Sequence, residues 1–130
     1  SKAREALPTV VLFTDAVFDV SRPALLIGAM NPAVLTSPRD PNELLMEATE
    51  DKLHQAYRGP LMEPSARLIT LMRANGFAAM VSGAGPCVLV LHNGDADSAI
   101  DAVAHEQLES GHWKVLHLAT DTQGVQVARL

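Results

Sequence analysis

The chain has 130 residues, 48% of them hydrophobic and 19% charged, with a formal net charge of −5. That length supports one domain with a real core, and the acidic balance excludes a protein that grips nucleic-acid phosphates by a basic surface. A single cysteine, Cys87, excludes a disulfide framework, and no apolar run reaches the roughly 18 residues of a membrane span. The N-terminus, Ser1-Lys2-Ala3-Arg4-Glu5, carries no signal-peptide pattern, so a cytoplasmic location is expected. A first residue of Ser rather than Met suggests a processed end or a piece of a longer protein.

Lys2 to Leu7 reads as a short helix, and Thr9 to Phe13 as an extended segment after Pro8. Thr14 or Asp15 can cap the next helix, in which Val17, Phe18, Leu25, Leu26 and Met30 recur at near-helical spacing. Pro23 removes a backbone donor within that pattern and is expected to kink or split it. Another short helix is expected between Asn31-Pro32 and Ser37-Pro38. Near Pro41 a new helix starts, with Leu44, Leu45 and Ala48 on its apolar face, Leu53 continuing it, and Tyr57 to Pro60 ending it.

The following helix runs from about Pro64 or Ser65 to Asn75, with Ala66, Leu68, Ile69 and Met72 inside and Gly76 as its stop. Two apolar strands then meet at Ser82-Gly83-Ala84-Gly85-Pro86. Glycines there permit positive φ or close approach of a ligand, and Pro86 stiffens the exit. The loop lacks the spacing of a P-loop, and it joins strand to strand where a dinucleotide fingerprint joins strand to helix. Cys87, inside the apolar run, is expected to be a small buried thiol.

After the turn at His92 to Asp95, Ala99, Ile100, Val103, Ala104 and Leu108 mark a helix to about Glu109. Trp113 to Ala119 and Val125 to Leu130 read as strands. A helical half followed by β-β-α-β-β implies an α+β sandwich with helices packed on an antiparallel sheet.

Little familiar chemistry stands out. The spacing of His105, His112 and His117 matches no zinc pattern, so no metal site is expected. Val81-Ser82-Gly83 lacks the first glycine of a hydrolase nucleophile elbow. Glu43, Glu47, Glu50 and Asp51 read as a solvated helix face. Arg4 and Arg58 lie beside structure-breaking prolines, where a guanidinium can be presented as a two-pronged carboxylate ligand.

The ordered segments Lys2-Ala3-Arg4-x-x-Leu7-Pro8, Asp15-Ala16-Val17-Phe18, Asp51-Lys52-Leu53-His54-Gln55-x-Tyr57-Arg58 and Ser82-Gly83-Ala84-Gly85-Pro86 together resemble the homoserine kinases of the GHMP small-molecule kinase superfamily. The similarity spans most of the chain. It implies a GHMP C-terminal-type, ferredoxin-like domain over residues 1–130, without the N-terminal domain whose glycine-rich loop cradles ATP. Residues differ at Ala56, where relatives commonly have proline, and at Cys87, where threonine or serine is common.

By the same resemblance, Arg4 and Arg58 hold the substrate α-carboxylate, and Ser82, Gly83, Ala84 and Gly85 approach the substrate at the domain junction. No catalytic group is implied within the chain. L-homoserine, the protein's own N-terminal kinase domain and a second copy are the expected partners, with ATP and Mg2+ used by the full-length enzyme and neither nucleic acid nor membrane involved. Other GHMP kinases, of mevalonate-pathway or sugar type, and a non-catalytic ferredoxin-like amino-acid-binding module are the alternative readings.

Overall fold

A computed structural model describes residues 13–31, 39–109, 111, 113–121 and 123–128. In chain order these form α1 (Phe13–Met30), α2 (Pro41–Ala48), the single turn α3 (Gln55–Arg58), a 3-10 turn (Gly59–Leu61), α4 (Glu63–Ala74), β1 (Ala78–Val81), β2 (Val88–Leu91) and α5 (Asp97–Glu109). The α+β organisation expected from the sequence is present. Helices pack on an antiparallel hairpin whose register pairs Ala78 with Leu91 and Val81 with Val88. No helix among the described residues is long and apolar enough to cross a membrane.

The core divides at two adjacent alanines. Side chains alternate across a strand, so Ala78 and Ala79 face opposite sides of the hairpin. Ala78 joins Ala29, Leu44 and Leu45 in a buried cluster made with α1 and α2. Ala79 joins Leu68, Met72 and Ala104 in a second one made with α4 and α5. Both alanines are almost wholly buried, and their small side chains let helices approach the strand closely from each face.

Local chemistry explains the helix ends. Pro41 occupies the first turn of α2, where a missing N–H costs nothing, and the Asp40 side chain accepts a 2.7 Å bond from the Asn42 amide. Leu44, Leu45 and Ala48 are buried as the spacing requires. Gly76, at φ +85°, ends α4 as expected.

Several elements differ from the sequence reading. Helix α1 runs without a break through Pro23 and already includes Phe13, so Asp15 sits in its first turn rather than capping it. The acceptor that loses its amide to Pro23 is the Asp19 carbonyl, and in the same stretch Ser21 Oγ and Arg22 Nε both donate to the Phe18 carbonyl. Helix α2 stops at Ala48 instead of continuing to Leu53. The Asp51 carboxylate accepts from the Leu53 and His54 amides, and the Asp19 carboxylate accepts from those of Lys52 and Leu53. These bonds give the backbone a non-helical alternative.

Residues 113–121 and 123–128 form no strand ladder among the described residues. β-propensity favours extended backbone, yet a ladder needs a neighbouring edge. Trp113 packs on the α4–α5 cluster, whereas Leu118 and Val125 are exposed. Cys87 is exposed rather than buried, because it lies at the loop exit ahead of the paired part of β2. The readings of helix at Lys2 to Leu7 and between Asn31-Pro32 and Pro38, and of strand at residues 9–12, fall outside the described residues.

Candidate functional site

A cleft of about 320 Å³ opens between α1, the loop after α2, α3 and the end of β1. Asp19, Arg22 and Leu26 form one wall. His54, Gln55 and Arg58 form the second, and Met80, Val81 and Gly83 close the third. A larger cleft of about 760 Å³ lies along α4 and the 3-10 turn. Arg58 lines only the smaller of the two.

Arg58 is presented by unusual means. A four-residue helix has too few internal bonds to persist alone, so α3 depends on its surroundings. Two carboxylates, Asp19 and Asp51, grip the backbone just before it. Gln55, three residues before Arg58 and on the same side of the turn, accepts a 3.0 Å bond from the Val81 amide. Arg58 is half-buried at the end of this turn, and its Nε is buried without a hydrogen-bond partner among the described residues. A buried guanidinium donor left unpaired is costly, and an anionic acceptor entering the cleft would relieve that cost.

The other cleft cation is already engaged. Arg22 donates to the Glu47 carbonyl at 3.2 Å and lies over the Phe18 ring at 3.9 Å from its centroid. Lys52 Nζ approaches the same ring at 4.0 Å.

The glycine turn is tied at both ends. Ser82 N–H donates to the Cys87 carbonyl at 2.9 Å, and Gly85 N–H donates to the Ser82 carbonyl at 3.1 Å. Ser65, buried in the first turns of α4, donates from Oγ to the Pro86 carbonyl at 2.6 Å. Gly83 and Gly85 have φ of +60° and +82°, a region that strongly favours glycine.

Of the residues singled out in the sequence, the fold brings Arg58 and Gly83 to one cleft. Ser82, Ala84 and Gly85 belong to the same turn but lie outside the cleft lining, and Arg4 lies outside the described residues. Asp19, Arg22 and Gln55 line the cleft although the sequence assigned them no role. Only Gln55 left a signal, its helical spacing from Arg58. His92 meets Asp97 at 3.1 Å and His117 meets Asp101 at 3.2 Å, while His105 pairs with Glu109. No set of three or more His, Cys, Asp or Glu side chains among the described residues is arranged to hold a metal ion.

Comparison with known proteins places the chain in a family. Residues 30–110 match the family model described as GHMP kinases C terminal. A protein named homoserine kinase from Leifsonia xyli subsp. xyli is 47% identical over 128 residues, covering 98% of this chain and 37% of the relative. Proteins of the same name from Clavibacter michiganensis subsp. michiganensis and Streptomyces coelicolor are 42% and 39% identical, over 96% and 98% of this chain. The chain spans about 37% of the length of these relatives. With the family model covering well over half of its residues, the chain belongs to the GHMP kinases and carries their C-terminal domain.

Proposed function

We propose that this chain is the substrate-holding part of a homoserine kinase, an enzyme that moves the γ-phosphoryl group of ATP to the side-chain hydroxyl of L-homoserine on the route to threonine. The observation that carries the reading is Arg58, whose Nε is buried and unpartnered among the described residues in a cleft of amino-acid scale. Relatives named homoserine kinase align across nearly the whole chain.

In this reading Arg58 and Arg4 hold the α-carboxylate of the substrate, and the Ser82–Gly85 turn lies alongside it. A carboxylate gripped by a planar fork leaves the hydroxyl end directed away from the arginine, toward the phosphate donor. That hydroxyl oxygen bonds to the γ-phosphorus, the bond to the β-phosphate oxygen breaks, ADP leaves and the hydroxyl proton is released. Catalysis of this kind rests on alignment and charge stabilisation, with magnesium supplying neutralisation of the phosphates when bound. In this reading the ATP and magnesium contacts are made by the N-terminal kinase domain of a longer protein. Self-association of that longer protein is part of the same proposal.

The test is ATP-dependent phosphorylation of L-homoserine by the protein from the whole reading frame containing this sequence, beside residues 1–130 alone. Activity is expected in the longer protein only. Within it, Arg58→Ala is expected to raise the homoserine KM about ten- to 150-fold, equivalent to about 1.5–3 kcal/mol for a lost charged hydrogen bond. An unchanged homoserine KM removes Arg58 from the site. A folded longer protein that leaves homoserine untouched overturns the substrate, and other GHMP substrates come next.

A further inference from the structure

We infer that Gln55 is a positioning residue for substrate binding, tying the turn that bears Arg58 to the strand that leads into the glycine turn; this rests on the function proposed above. In an antiparallel pair, successive amides of a strand point to alternate edges. Ser82 N–H points to β2, where it meets the Cys87 carbonyl, so Val81 N–H points to the edge that β2 does not occupy. Among the described residues no third strand covers that edge, and side chains take its place. Gln55 Oε1 accepts the Val81 N–H at 3.0 Å, and Arg73 donates to the Ala79 carbonyl, on the same edge, at 3.2 Å.

This places one bond between two parts of the site. Gln55 opens α3 and Arg58 closes it, so a helix of one turn carries both. Gln55 and Arg58 are only half-buried and Tyr57 is exposed, so the packing of these three side chains does little to orient the turn. Val81 is two residues from Gly83, and both line the cleft with Arg58. The Gln55–Val81 bond therefore sets where the guanidinium stands relative to the turn. Loss of the bond loosens the carboxylate grip and leaves phosphoryl transfer itself untouched.

The experiment uses the protein from the whole reading frame. Gln55→Met keeps side-chain volume and removes the acceptor; Gln55→Asn keeps an amide one methylene too short to reach Val81. Both are expected to raise the homoserine KM by about tenfold with kcat and the ATP KM unchanged. In an Arg58→Ala background neither should add its full factor, because the group being positioned is gone. Amide exchange at Val81 should accelerate in Gln55→Met, a readout independent of turnover. An unchanged homoserine KM, an equal rise in the ATP KM, full additivity with Arg58→Ala or unaltered Val81 exchange overturns the inference. If the unsubstituted, folded protein does not phosphorylate homoserine, the functional reading fails and the inference falls with it. Homoserine turnover indifferent to Gln55 defeats the inference alone.

Discussion

Gly83 and Gly85 both have positive φ, but a side chain added at each would meet different surroundings. At Gly83 the space is open. At Gly85 a Cβ would run into Met62 Sδ and come within 3.4 Å of Val81 Cγ1. Alanine at either position costs about 1–2 kcal/mol for the left-handed backbone alone. Met62 presents the flexible end of a thioether, which can swing aside at low cost. Urea unfolding of Gly83→Ala and Gly85→Ala is therefore expected to agree to within about 1 kcal/mol. A much larger loss at Gly85 would show that Met62 is held in place. At this scale the sequence marked the two glycines, both at positive φ, and singled out Arg58, which lines the cleft, since a residue type suited to one task is visible without the fold. It placed Cys87 wrongly, as a buried thiol, because the exposure of that residue depends on where the loop delivers it to β2.

Arg73 shows how elements are joined. From α4 its guanidinium donates to the Met46 carbonyl and Thr49 Oγ1 at the end of α2, and to the Ala79 carbonyl of β1. One side chain thus serves a helix C-terminus and a strand edge, both of which expose acceptors that need donors. Arg73→Met retains the aliphatic stem and removes three partly buried hydrogen bonds, while Thr49 Oγ1 keeps its own bonds to the Leu45 and Met46 carbonyls. A loss of about 2–4 kcal/mol is expected in urea unfolding. A loss below about 0.5 kcal/mol would mean that water takes over these acceptors. Helices α2, α4 and α5 and the hairpin were legible from apolar spacing and from stop signals such as Gly76. Passage of α1 through Pro23, and the early end of α2 at Ala48, were not. The second turns on bonds to the Asp19 and Asp51 carboxylates, the first of which reaches the 52–53 backbone from another helix and is decided in three dimensions.

Across the whole molecule, α1 and α2 are joined by charge as well as by the core around Ala29 and Leu44. Glu47 accepts a 2.7 Å bond from Arg39 and lies 3.6 Å from Arg22 of α1. The Arg39 hydrogen bond, with further help from the charges of Arg39 and Arg22, holds the Glu47 carboxyl below its ordinary range. A carboxyl whose folded pKa is depressed stabilises the fold at pH above its ordinary value, and this contribution is lost as pH falls through the folded pKa. Titration followed by NMR should place the Glu47 midpoint below the ordinary 4.5 and move it upward in Arg39→Ala. An unmoved midpoint in that variant would reject the assignment to Arg39.

What the sequence determined by itself is what neighbouring residues settle among themselves: the helical and extended periods, the glycine turn, the proline and glycine boundaries, and the segments shared with GHMP kinases. Tertiary structure alone decided that Arg58 Nε is unpartnered among the described residues within a cleft it shares with Gly83, and that Gln55 closes the edge of β1. It also decided that the C-terminal apolar runs form no ladder among the described residues. The physical reason is one of range. Periodicity records which side of an element is apolar, but a hydrogen bond between residues as far apart as Gln55 and Val81 exists only once packing has brought their elements together.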